Sequence, residues 1–187
     1  MTEIEKEYES LCEKYISGTE TYHGPLLHVW HDRVRLPNGN EGGRDYIKHD
    51  GAVCMIPVFE DGTVAVERQF RYPLDRVITE IPAGKLNGPD EDRLEAAKRE
   101  LREETGLSGD EWTFMGDLYC AVAYSTERIS MYLVRSLHQG ERRLDDDEFL
   151  NVERVPLSEL VRQVMDGEII DSKTQTAVLK AARILGI

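Results

Sequence analysis

The sequence predicts an α/β or α+β sandwich, with sheet layered against helices. Three observations predict it. The elements run strands, helix, strands, helices, without the regular alternation of a doubly wound fold. Hydrophobic residues make up 40% of the chain, and its 15 glycines raise the apolar share to about 48%, an ordinary globular composition. A length of 187 residues suits one compact domain with a small appended subdomain.

Residues 3–16 read as an amphipathic helix, because Ile4, Tyr8, Leu11 and Tyr15 recur at helical spacing. Thr2 and Glu5 have capping-box spacing, and Ser17-Gly18 stops the run. Strand-like segments follow at about 20–36 and 43–50. Pro37-Asn38-Gly39 between them marks a hairpin, since Asn-Gly tolerates the positive φ of a tight turn. Residues 52–59 form a short apolar run, and 63–70 alternate through Val64 and Val66. The Asp61-Gly62 turn predicts a second hairpin joining these two. Further strands are expected at 112–118 and 129–137. Helices are expected at 90–105, 158–166 and 171–185, with Asp90 and Asp171 as N-caps and Gly106 and Gly167 as stops.

Several function classes are disfavoured. No apolar stretch approaches the ~18 residues of a membrane span. The N-terminal segment carries Glu3, Glu5, Glu7, Glu9 and Glu13, not the basic start and apolar run of a secretory signal. Cys12, Cys54 and Cys120 are scattered, which reads as reduced thiols in the cytoplasm. The net charge of −13 repels nucleic-acid backbones and acidic lipid surfaces. Phosphorylated substrates stay accessible if divalent cations screen clustered carboxylates.

Such a cluster exists. On a helix over 91–104, Glu100, Glu103 and Glu104 fall within about one third of the circumference. Leu94, Ala97 and Leu101 form a neighbouring apolar stripe that would anchor the helix to a sheet. Like charges at this spacing repel by a few tenths of a kcal/mol per pair. Hard cations such as Mg²⁺ want oxygen ligands and bridge phosphates, so the face reads as a metal platform. The competing reading is a solvated acidic face balanced by Arg99 and Arg102. Gly84, before the helix, lets backbone approach a ligand, and a carbonyl near Ala83 offers another hard donor.

The segment resembles the Nudix box, G-x5-E-x7-R-E-U-x-E-E-x-G-U, where U is aliphatic. Glu91, Arg99, Glu100, Leu101, Glu103, Glu104, Gly106 and Leu107 fit in register. Six residues rather than five separate Gly84 from Glu91, the extra one falling in the Asn87-Gly88-Pro89 loop. The resemblance implies an α/β/α sandwich with a mixed sheet and an N-terminal antiparallel β subdomain. It also implies hydrolysis of a nucleoside diphosphate linked to another moiety, with Mg²⁺ as cofactor and Mn²⁺ as a substitute. Glu100 and Glu104 would be core metal ligands, with Glu103 helping and the Ala83 carbonyl adding to them. Arg99 would orient a glutamate through a charged hydrogen bond.

Residues outside the box are similar to the ADP-ribose pyrophosphatase branch: Arg68-Gln69-Phe70-Arg71-Tyr72, then Glu80-Ile81-Pro82-Ala83-Gly84. That branch implies a homodimer, residues 1–50 forming the N-terminal dimerisation subdomain and 51–187 the hydrolase domain. Arg68 and Arg71 suit diphosphate binding, because a guanidinium offers paired donors; a plain salt bridge is the alternative for each. The acidic run Asp145-Asp146-Asp147-Glu148 reads as a solubilising loop on charge alone. The resemblance makes it a catalytic loop, with Glu148 as general base and Asp146 in reserve. Where the branch usually has Ser-Pro-Gly, this chain has Val122 at the proline position and Ala123 at the glycine position, while Glu127 is retained for substrate binding. GDP-mannose or another nucleotide sugar therefore stays open beside ADP-ribose. A non-catalytic nucleotide-sensing domain would be expected to lose the box carboxylates, and all are present. Tyr22, Trp30, Tyr72 and Tyr124 read as core or interface filler before base-stacking groups. His23, His28, His31, His49 and His138 show no spacing that demands a metal.

Overall fold

A computed structural model describes residues 2–144 and 149–187. The chain divides into two compact units, one of residues 1–49 and 121–127, the other of residues 50–120 and 128–187.

In the first unit, helix α1 (Glu3–Leu11) opens with the expected capping box. The Thr2 side chain accepts from the Glu5 N–H at 3.2 Å, and Glu5 Oε2 accepts from the Thr2 N–H at 2.6 Å. The helix ends at Leu11, not near residue 16, and Cys12 is already extended. Tyr15, Ile16, Thr19, Thr21 and Tyr22 favour a pleated backbone, so this stretch becomes strand β1 (Lys14–His23). It pairs with β2 (His28–Arg35), which pairs with β3 (Glu41–Ile47), all antiparallel. The β2–β3 hairpin turns at the Asn38-Gly39 predicted for it. Segment 121–127 joins this unit through a parallel bridge of Ser125 to Ile47 and a 2.9 Å bond from the His49 N–H to Thr126 Oγ1.

The second unit carries a mixed four-stranded sheet in the order β7 (Ala83–Lys85), β4 (Ala52–Pro57), β9 (Ile129–Gln139), β8 (Leu107–Leu118). A three-stranded antiparallel sheet has the order β10 (Leu150–Pro156), β5 (Thr63–Arg71), β6 (Arg76–Glu80). Every residue of β4 is buried, as suits a strand covered on both faces. Ala52, Cys54 and Ile56 pack with Leu157 and Leu160 of α3 (Leu157–Met165) and Ala177, Val178 and Ala181 of α4 (Ser172–Leu185). Val53 and Met55 share a second core with Ala96, Ala97 and Leu101 of α2 (Arg93–Thr105). This is the α/β/α sandwich with a mixed sheet that the resemblance to the Nudix box implies.

The second predicted hairpin does not form as such. The turn is there, with the Gly62 N–H on the Phe59 carbonyl at 3.0 Å, but β4 and β5 share one bridge, Val58 to Val64, and then enter different sheets. The apolar β4 fits the centre of a helix-covered sheet. β5 turns polar from Glu67 onward and pairs instead with β6 and β10. The short strands β6 and β7 were not foreseen. Among the described residues, no helix is long and apolar enough to cross a membrane.

Candidate active site

Helix α2 is fixed at both ends. Asp92, not Asp90, is its N-cap, its carboxylate accepting from the Leu94 and Glu95 N–H groups at 3.0 Å each. Gly106 closes it in the left-handed conformation, at φ 73°. The core contacts of Ala96, Ala97 and Leu101 set the rotation of the helix.

That rotation carries Glu100 and Glu104 inward, to 9% and 5% exposure, where a purely solvated acidic face would leave them in water. The Ala83 N–H donates to Glu104 Oε2 at 3.0 Å. Glu100 lies against the next residue, so closely that a Cβ on Gly84 would sit 1.9 Å from the Glu100 Cδ. The two carboxylates thus converge on the Ala83–Gly84 backbone. Gly84 keeps this place despite the extra residue before Glu91, which the 85–90 loop absorbs: the Asn87 N–H donates to Glu91 Oε2 at 2.5 Å.

Arg99 ties the acids together. Its Nη1 donates to Glu100 Oε1 at 2.7 Å and to Glu103 Oε2 at 3.2 Å, and its Nη2 reaches Glu91 Oε1 at 3.3 Å and the Lys85 carbonyl at 3.3 Å. Burial disfavours the guanidinium charge, but the Glu100, Glu103 and Glu91 carboxylates outweigh it and raise the Arg99 pKa. Glu103 is the outermost acid, its side chain 39% exposed. The donor set is all oxygen: two buried carboxylates, one half-exposed carboxylate and the nearby Ala83 backbone. That chemistry fits a hard divalent cation.

Arg71 stands near enough to Glu104 to feel its charge. It is committed to buried Glu80, with Nε on Oε2 at 2.6 Å and Nη2 on Oε1 at 3.0 Å. Arg68 stands 4.0 Å from Glu153 and lines a cavity of about 190 Å³ with Arg76, Thr79 and Glu168. Glu127 belongs to the first unit, its Oε1 3.7 Å from His49 Nε2. Glu148 and Asp146 lie outside the described residues.

One group escaped the sequence reading. Lys173 at the start of α4 pairs with Glu80 and lies 3.0 Å from Asp171 Oδ2. Burial opposes its charge, and Asp171 and Glu80 more than restore it, so its pKa is raised. Beside it the Thr174 hydroxyl accepts from the Ile81 N–H at 3.0 Å, so α4 holds the backbone that leads into Ala83 and Gly84. A lysine in the polar stretch Ser172-Lys173-Thr174-Gln175 reads as exposed, and its partner lies 93 residues away in sequence.

The model of the NUDIX domain family matches residues 48–174. The chain is 36% identical over 172 residues to the ADP-ribose pyrophosphatase of Bacillus subtilis (strain 168), covering 91% of this chain and 92% of that protein. It is 33% identical over 165 residues to the ADP-ribose pyrophosphatase of Mycobacterium tuberculosis, covering 87% and 80%. The fold resembles a crystal structure of an ADP compounds hydrolase, with a TM-score of 0.82 at 20% identity over 95% of this chain and 96% of that one. The box carboxylates gathered on Ala83 and Gly84 stand within the matched segment, and the chain belongs to the Nudix family.

Proposed function

We infer that this protein is a pyrophosphohydrolase that cleaves the diphosphate bond of ADP-ribose or a related nucleoside diphosphate sugar, releasing a nucleoside monophosphate and a sugar phosphate. The observation that carries this reading is the convergence of Glu100 and Glu104 on Ala83–Gly84, with Arg99 spanning Glu91, Glu100 and Glu103. The similarity to the Bacillus subtilis ADP-ribose pyrophosphatase supports the substrate class.

Glu100, Glu104 and the Ala83 carbonyl, helped by Glu103, would hold Mg²⁺, with Mn²⁺ as a substitute. Such a cation, when bound, neutralises the diphosphate and lowers the pKa of an attacking water. The protein's own part is to aim the acids, which Arg99 does by donating to three of them. In this reading Glu148 takes the proton of the water as its oxygen bonds to one phosphorus and the bond to the bridging oxygen breaks. Arg68 and Glu127 contact the substrate, and Arg71 does so only beyond its tie to Glu80. We further propose a homodimer working in the cytoplasm, which the exposed apolar side chains of α1 and the three free cysteines support.

GDP-mannose is a second reading, favoured by Val122 and Ala123 where the ADP-ribose branch usually has proline and glycine. A panel of nucleotide sugars assayed with Mg²⁺, products identified, separates the two. ADP-ribose should be cleaved with the highest kcat/KM, giving AMP and ribose phosphate. Absence of turnover on every diphosphate sugar would overturn the hydrolase reading. In the same assay Glu148→Gln should lower kcat far more than it raises KM, and Asp146→Asn should do less. A crippled Asp146→Asn beside a near-normal Glu148→Gln would move the base by two residues.

A further inference from the structure

A second cluster of ligating side chains lies in the first unit, in residues to which the hydrolase reading gives no role. In the β1–β2 ladder His23 and His28 stand directly opposite one another, their rings edge to face with centroids 4.2 Å apart. Glu20 is three residues before His23. Side chains alternate along a strand, so an odd separation should put these two on opposite faces. The ladder corrects this with a bulge: its register shifts between Glu20 and Tyr22, leaving Thr21 as the extra residue, with its hydroxyl donating to the Val29 carbonyl at 3.2 Å. The bulge returns Glu20 to the face of the histidines, the kind of re-aiming that bulges perform beside functional sites.

The result is a three-point arrangement. Glu20 Oε1 lies 2.8 Å from His28 Nδ1 and 3.0 Å from His23 Nδ1. One ligand atom from each of the three side chains lies within 4.8 Å of the others. Neighbouring ligands on a zinc-sized ion, with bonds of about 2.0–2.1 Å, stand about 3.0–3.4 Å apart, so little movement is needed to close around one. The side chains are 28% (Glu20), 39% (His28) and 69% (His23) exposed, leaving an ion free to enter.

We propose that Glu20, His23 and His28 form a binding site for a divalent transition-metal ion of the Zn²⁺ class, separate from the carboxylates of α2. The chemistry discriminates between the two places. Imidazole suits Zn²⁺, Ni²⁺ or Cu²⁺, whereas Mg²⁺ prefers the all-oxygen set of Glu100, Glu103 and Glu104. His31, which pairs with Asp45 at 2.6 Å, provides an internal control.

The test is a calorimetric Zn²⁺ titration of a chain carrying Glu100→Gln and Glu104→Gln, so that the α2 acids do not contribute. One Zn²⁺ per chain should bind, and millimolar Mg²⁺ should not displace it. His23→Gln and His28→Gln should each weaken binding about tenfold or more, and His31→Gln should leave it unchanged. The ring nitrogens of His23 and His28 should also shift on Zn²⁺ addition in ¹⁵N NMR spectra. Should His28→Gln not fold, His23→Gln, with the more exposed side chain, decides alone. No Zn²⁺ uptake by the chain with both glutamines, or uptake unchanged by His23→Gln, would overturn the site.

Discussion

At Gly84 a single missing methyl decides whether two buried carboxylates can meet the backbone. A Cβ there would overlap the Glu100 carboxyl, with its nearest atoms at 1.9, 2.1 and 2.3 Å. The collision involves the far end of the Glu100 side chain, which must leave the Ala83–Gly84 backbone to make room. Gly84→Ala should therefore displace Glu100 and lower kcat at least about tenfold, with the fold kept and some stability lost. Glu100→Gln and Glu104→Gln keep size and remove charge, and each should cost at least about a hundredfold in kcat, the scale of one major electrostatic contribution. Steady-state kinetics at saturating Mg²⁺, with circular dichroism as the check on folding, separates displacement from discharge. Near-normal turnover in both glutamine variants would remove the metal-platform reading.

At the scale of elements, α2 was legible because its signals are local: an acid before the helix, carboxylates at i, i+3 and i+4, an apolar stripe and a terminal glycine. The depth of its acids was not legible: Glu100 and Glu104 lie buried because β7 carries Ala83 and Gly84 against the helix. The parting of β4 from β5 and the bulge at Thr21 were illegible for the same reason: both are settled by pairing partners and not by the residues that turn or bulge. Lys173 with Glu80 is the clearest case of a contact no local pattern announces. Removing one partner of a buried ion pair costs about 3–5 kcal/mol when the other charge is left uncompensated; Glu80 keeps Arg71, so Lys173→Met should lower stability by less than that in denaturant unfolding. The pH dependence has a definite sign. A lysine whose folded pKa is raised stabilises fully below its ordinary value near 10.5, and the contribution fades as pH climbs through the higher folded value. The gap between wild type and Lys173→Met should hold constant from about pH 6 to 9 and shrink only above about pH 10.4. A gap that closes on acidification instead would reject this assignment.

At the scale of the whole molecule, the first unit leaves apolar surface without cover in a single chain. Among the described residues α1 buries none of its side chains, and Ile4, Tyr8 and Leu11 are 78%, 69% and 69% exposed along one stripe. Tyr15 at the start of β1 adds another large apolar side chain, 68% exposed. A nine-residue helix is short of the roughly 12–15 residues at which an isolated helix becomes even marginal in water, whatever its capping box contributes. A contiguous exposed apolar stripe on such a helix marks an association surface. The proposed occupant is a second copy of the chain, packed about a twofold axis so that each helix is covered by the same partner surface. Sedimentation at micromolar concentration should then give a dimer. Ile4→Lys with Leu11→Lys changes the stripe and leaves the sequence of the second unit as it is, so it should shift the protein toward monomer and lower its thermal stability. A wild-type monomer with full activity would refute the dimer outright. A double variant that stays dimeric with unchanged stability would show that α1 is not the covered element and would point to the exposed Phe70, Tyr72 and Val77 around β5 and β6.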